Sequence, residues 1–78
     1  MPTVAWIGPY RFFFFSNEGR EPPHIHVQEG RKLAKFWLDP VTLESRGRFT
    51  AHEARKIHRL VTENRPRFLE AWHEYFSS

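Results

Sequence analysis

The chain has 78 residues, a formal net charge of +3 and no cysteine, which excludes disulfide staples and thiolate metal sites and fits a reducing compartment. One domain over residues 1–78 is expected, and at this length it buries only about 60–65% of the surface its unfolded form exposes, so its core is thin. The 17% aromatic content offers a substitute for staples, since each buried ring removes roughly 150–250 Å² from water.

The opening stretch "MPTVAWIGPYR" lacks a basic segment followed by a long apolar run, so no signal peptide is expected. The densest apolar run, "FFFF", is far shorter than the roughly 18 residues that mark a membrane span. A cytoplasmic protein with no membrane partner is the expectation. The basic balance permits contact with nucleic acid or an acidic protein and requires neither.

Strands fill the first half. "TVAWI" is β-branched and aromatic, and Gly8-Pro9 breaks it. "YRFFFFS" resumes as a second strand over 10–16. "NEGRE" is a polar loop leading to Pro22, and "PHIHVQ" is the third strand, with Pro23 tolerated at its first position. Glu29-Gly30 reads as a tight turn, "RKLAKFWL" as the fourth strand, and "VTLES" after Asp39-Pro40 as a short candidate fifth. Tight connections between four or five such strands imply an antiparallel meander.

The second half changes period. Thr50 followed by Glu53 forms a capping box, and Ala54, Ile57, Leu60 and Val61 recur at helical spacing. Pro66 either starts a second helix or kinks the first. Beyond it, Phe68, Leu69, Trp72 and Phe76 make an apolar stripe with Tyr75 beside it. Strands followed by helices define an α+β domain with two C-terminal helices packed on one sheet face.

A two-residue loop at Glu29-Gly30 sets Gln28 opposite Arg31, His26 opposite Leu33, His24 opposite Lys35, Ile25 opposite Ala34 and Pro23 opposite Phe36. Cross-strand partners share a face, so Ile25, Val27, Ala34, Phe36 and Leu38 face the helices. His24, His26, Gln28, Arg31, Leu33, Lys35 and Trp37 face outward. Phe12 and Phe14 lie on one face of the second strand and Phe13 and Phe15 on the other, which leaves the outer face apolar without an obvious cover. A large exposed apolar patch marks an interface. Phe13, Phe15, His24, His26, Lys35 and Trp37 are therefore the expected partner-binding residues, for a small protein partner or a second copy of the chain.

Histidines two apart on a strand can chelate one ion through neutral imidazole nitrogens, but a zinc site needs at least a third protein ligand. His52, His58, His73, Asp39 and several glutamates are candidates, and no spacing forces one of them into place. Lys35, set beside the pair, opposes a cation. No metal ligand and no cofactor are assigned on this basis. On the first helix, Arg55, Lys56 and Arg59 share a face with His52 and Glu63, a candidate phosphate-contacting stripe. No base-reading motif, Gly-rich phosphate loop or nucleophile elbow accompanies it, so enzyme activity is unassigned.

"HIHVQ" resembles the alternating histidine strand of histidine-triad nucleotide hydrolases and transferases, with Gln28 in place of the third histidine, over five residues only. Nearly end to end, "PTV", "YRFFFFSNEGREPPHIHV", "AKFWLDPV" and "ENRPRFLEAWHE" resemble a small bacterial family known only as domain of unknown function number four-one-six-zero. Pro22, Pro23, His24, His26 and Trp72 match its pattern. The resemblance implies one half of a two-gene module similar to type II toxin–antitoxin pairs, and it transfers no catalytic residue. The expected function is thus a small interaction protein of such a module. The alternatives are a nucleic-acid-binding regulator or RNA-targeting toxin and, less favoured, a histidine-based phosphohydrolase or metal enzyme.

Overall fold

Gly8, Gly30 and the Asp39-Pro40 pair divide the first half of the chain into hairpins, and the strands between them form one sheet. The computed structural model describes residues 3–77; Met1 and Pro2, part of the N-terminal stretch read above, and Ser78 lie outside them. The strands are β1 (Thr3–Ile7), β2 (Tyr10–Phe13), β3 (His24–Glu29), β4 (Lys32–Leu38) and β5 (Val41–Ser45), followed by helices α1 (Ala51–Glu63) and α2 (Arg65–Phe76). The sheet is an antiparallel meander in the order β1-β2-β3-β4-β5, so the α+β arrangement and the fifth strand are as expected. No helix among the described residues is long and apolar enough to cross a membrane.

The β3–β4 register differs from expectation by two residues. The loop is Gly30-Arg31, and the pairs are Glu29 with Lys32, Gln28 with Leu33, His26 with Lys35 and His24 with Trp37. Gly30 has φ of +60°, a left-handed conformation that glycine enters without penalty. That makes Gly30 itself the first loop residue rather than the second. A slip of two residues keeps every side chain on its face, whereas a slip of one reverses them all. The inward set Ile25, Val27, Ala34, Phe36 and Leu38 is accordingly buried.

Those five side chains meet Phe12, Ile57, Val61, Phe68 and Trp72 in a continuous core. Phe12 and Phe68 rings lie 5.1 Å apart, joining β2 to α2. Each Val, Ile, Leu or Phe among them, fully buried, stabilises the fold by about 1.5–3 kcal/mol.

α1 starts where its capping box dictates: the Glu53 amide donates to Thr50 Oγ1 at 3.1 Å, and the Thr50 amide donates to Glu53 Oε1 at 2.9 Å. Asn64 closes α1, its amide and side-chain nitrogen both donating to the Leu60 carbonyl. Pro66 lies in the first turn of α2, where its missing N–H costs nothing, so it begins a second helix. Arg65 fixes that start against the sheet, donating to the Leu38 carbonyl at 2.6 Å and to Asp39 Oδ1 at 2.8 Å.

β2 ends at Phe13, not near Ser16. Phe14 leaves the sheet to pack among Trp72, Tyr75 and Phe76 of α2, each ring 5.4 Å away. Phe15 stays on the other side with Phe13 and His26, at 5.3 and 4.8 Å. This divergence of neighbouring rings turns residues 14–23 over the outer face, and that turn builds the site below.

Candidate functional site

The outer sheet face is organised in rows of directly paired residues. One row runs Trp6, Arg11, Gln28, Leu33 across four strands; the next runs Phe13, His26, Lys35, Ser45; a third joins His24, Trp37 and Thr42. The 14–23 connection covers the end that carries the histidines. Its Glu18 amide donates to the Phe15 carbonyl and the Phe15 amide to Glu18 Oε1, both at 3.3 Å. The turn aims the Glu18 carboxylate down at the sheet.

Both imidazoles converge on it. His24 Nε2 lies 2.8 Å and His26 Nε2 3.0 Å from the same oxygen, Glu18 Oε1. His24 Nδ1 lies 3.0 Å from the Pro22 carbonyl oxygen. The second proline of "PPH" thus sets the chain so that the first one's carbonyl orients the ring. His24 is 0% and His26 7% exposed. Trp37 and Trp72 rings enclose His24 at 5.6 and 4.7 Å, and the Phe13 ring stacks on His26 at 5.4 Å. The two histidine rings meet edge-on at 5.2 Å.

Burial pushes the Glu18 carboxyl up, but the His24 and His26 hydrogen bonds together outweigh it and hold the group below its ordinary value. For His26 burial is the largest cause and lowers its value, with the Glu18 carboxylate pulling it back only in part. These directions agree with a neutral His26 donating Nε2–H to an ionised Glu18. One ligand atom from each of Glu18, His24 and His26 lies within 4.8 Å of the others, so these three residues can hold a metal ion.

The outward orientation expected of the histidines is therefore correct, and their expected exposure is not. Of the six residues expected to meet a partner, Phe13, His24 and His26 are buried and Phe15, Lys35 and Trp37 half-buried. The reason is the loop that closes over them. Lys35 donates to Glu21 Oε1 of that loop at 2.7 Å and lies 4.5 Å over the Trp37 ring. Sequence reasoning did not single out Glu18. The signal available was a carboxylate in the connection that must return the chain to the histidine strand.

The uncovered end of the face carries Trp6, 67% exposed, and Leu33, 42% exposed. Between them Arg11 donates to Thr3 Oγ1 at 2.9 Å and Gln28 Oε1 at 3.0 Å, and lies 4.3 Å over the Phe13 ring. On the opposite side of the molecule, Arg55, Lys56 and Arg59 are exposed on α1 as expected and line a shallow concavity with His52.

The family model described as domain of unknown function DUF4160 matches residues 10–73. The chain belongs to this family. The matched span of the DUF4160 domain runs from the start of β2 into α2 and includes Glu18, both histidines and Trp72. No curated protein and no solved structure matches the chain.

Proposed function

We propose that this DUF4160 domain is one component of a toxin–antitoxin-like pair, and that it binds a small protein partner through the open part of its outer sheet face. The observation that carries the reading is the Trp6–Arg11–Gln28–Leu33 row. It places two exposed apolar side chains at the ends of a row with a guanidinium in the middle. Arg11 is held by neutral groups, so its charge is available to a carboxylate. Tryptophan and arginine are the residue types that most often dominate binding energy at interfaces. The partner fitting this surface offers an apolar patch with an acidic group at its centre. The two-component arrangement itself rests on the family resemblance.

The test is co-expression with the product of the adjacent gene, followed by size-exclusion chromatography with light scattering. A stable complex with the wild type that is lost on Trp6→Ala or Arg11→Ala is expected. A monomer that ignores its neighbour overturns the reading.

The Arg55, Lys56, Arg59 and His52 cluster favours a second reading, contact with a nucleic-acid backbone. Its affinity for DNA or RNA then falls steeply with salt, and no binding at low salt eliminates it.

A further inference from the structure

His24 presents a hydrogen-bond conflict that points to a cation. The Pro22 carbonyl, 3.0 Å from His24 Nδ1, only accepts. Nδ1 therefore carries a proton, and in the neutral form of the ring Nε2 presents a lone pair. That lone pair faces Glu18 Oε1 at 2.8 Å, an acceptor when ionised. Two acceptors held this close in a site where His24 is fully buried require a positive centre between them. A proton serves one pair of atoms. A cation serves His24 Nε2, His26 Nε2 (once the His26 proton moves to Nδ1) and Glu18 together, and one ligand atom from each lies within 4.8 Å of the others.

The surroundings have the features of a ligand site. A histidine whose Nδ1–H is tied to a backbone carbonyl has its tautomer and orientation set for coordination through Nε2. Phe13, Phe15, Trp37 and Trp72 wall the imidazoles with apolar surface. Lys35, the cation beside the pair, is ion-paired with Glu21 at 2.7 Å, which draws its ammonium toward the loop. Metal–ligand bonds of 2.0–2.1 Å put tetrahedral donors about 3.3 Å apart, so the contacts at 2.8 and 3.0 Å open by only about 0.3–0.5 Å to admit an ion.

We propose that Glu18, His24 and His26 bind one divalent first-row transition ion through the two Nε2 atoms and the Glu18 carboxylate, with at least one coordination position left for water. Two histidines and one carboxylate make an open donor set suited to zinc or ferrous iron. The histidines come from β3 and the glutamate from the 14–23 connection, so the ion also fastens that connection to the sheet. In a cysteine-free chain of this size it is the missing staple.

The experiment uses untagged full-length protein, stripped with a chelator and titrated with Co²⁺ and then Zn²⁺. About one equivalent of cobalt binds with visible ligand-field bands, zinc displaces it, and zinc raises the melting temperature. Glu18→Gln and His26→Gln each abolish the bands, while a variant with His52, His58 and His73 all changed to alanine keeps them. Bands retained in Glu18→Gln or His26→Gln, or lost in the triple variant, overturn the proposal. Because the single variants can disturb folding, nitrogen-15 spectra of the wild type provide a second measurement. Zinc should shift Nε2 of His24 and His26 and leave Nδ1 of His24 protonated. Shifts confined to the three other histidines, or a His24–Glu18 pair bridged by a proton and indifferent to zinc, refute it.

Discussion

Gly19 lies so close beneath Phe76 that a β-carbon at that position falls 2.6 Å from the ring. The contact joins the loop carrying Glu18 to the last turn of α2, which couples the carboxylate to the C-terminal helix. Gly19→Ala forces the ring or the loop to move, and overpacking of this kind costs about 1–3 kcal/mol. Urea unfolding measures the loss, and Phe76→Leu, by shortening the obstructing side chain, should relieve part of it. Additive effects of the two changes would show that the contact does not couple loop and helix.

Gly47 and Gly30 make a controlled pair. Both have positive φ, +53° and +60°, and both therefore resist a β-carbon by about 1–2 kcal/mol. Around Gly30 the space is open, whereas a β-carbon at Gly47 collides with the backbone carbonyl of Leu33. Backbone in a paired strand cannot yield as a side chain does. Gly47→Ala should be the more destabilising by at least about 1 kcal/mol in denaturant titrations. Equal costs would mean that the loop after β5 rearranges freely.

Much of the fold was legible because periodicity and turn chemistry agreed. Alternation placed Ile25, Val27, Ala34, Phe36 and Leu38 inward, and the Thr50–Glu53 box located the start of α1. The register itself was not legible, since Glu29-Gly30 and Gly30-Arg31 are both plausible loops and parity alone does not separate them. The site was half legible. Alternation paired His24 with His26 on one face, but the loop bearing Glu18 has no periodicity. Its path depends on Phe14 and Phe15 parting to opposite sides of the sheet, and on Gly19 fitting under Phe76. These are tertiary contacts, and they turned an expected exposed face into a buried cluster.

The α1 cap links stability to pH. The Lys32 hydrogen bond, followed by the Thr50 amide, holds the Glu53 carboxyl below its ordinary value near 4.5. A depressed folded-state value means the stabilisation is present above the ordinary glutamate value and is lost as pH falls through the lowered one. Glu53→Gln should therefore flatten the acid limb of a melting-temperature profile below about pH 5. Thr50→Ala removes the side-chain acceptor at the helix start and should cost about 1 kcal/mol at neutral pH. An acid limb unchanged in Glu53→Gln would assign acid unfolding to other carboxylates.

Trp72 belongs to the core, whereas Trp6 belongs to the surface proposed above as an interface. Trp72 is 4% exposed and contacts Phe14, His24 and Phe76 at 5.4, 4.7 and 4.3 Å, so it supports the core, the loop and the histidine cluster at once. Trp72→Ala should cost about 3–5 kcal/mol, enough to unfold a domain of this size or to leave it only marginally stable. Trp6 projects from β1 onto the open end of the outer face, and exposed positions of this kind change stability by less than about 0.5 kcal/mol when truncated. Trp6→Ala should melt with the wild type and yet lose about 2 kcal/mol or more of partner affinity. Calorimetric unfolding and titration against the co-expressed partner read the two quantities independently. A Trp6→Ala variant that binds as tightly as the wild type would remove the row from the interface, whatever its stability.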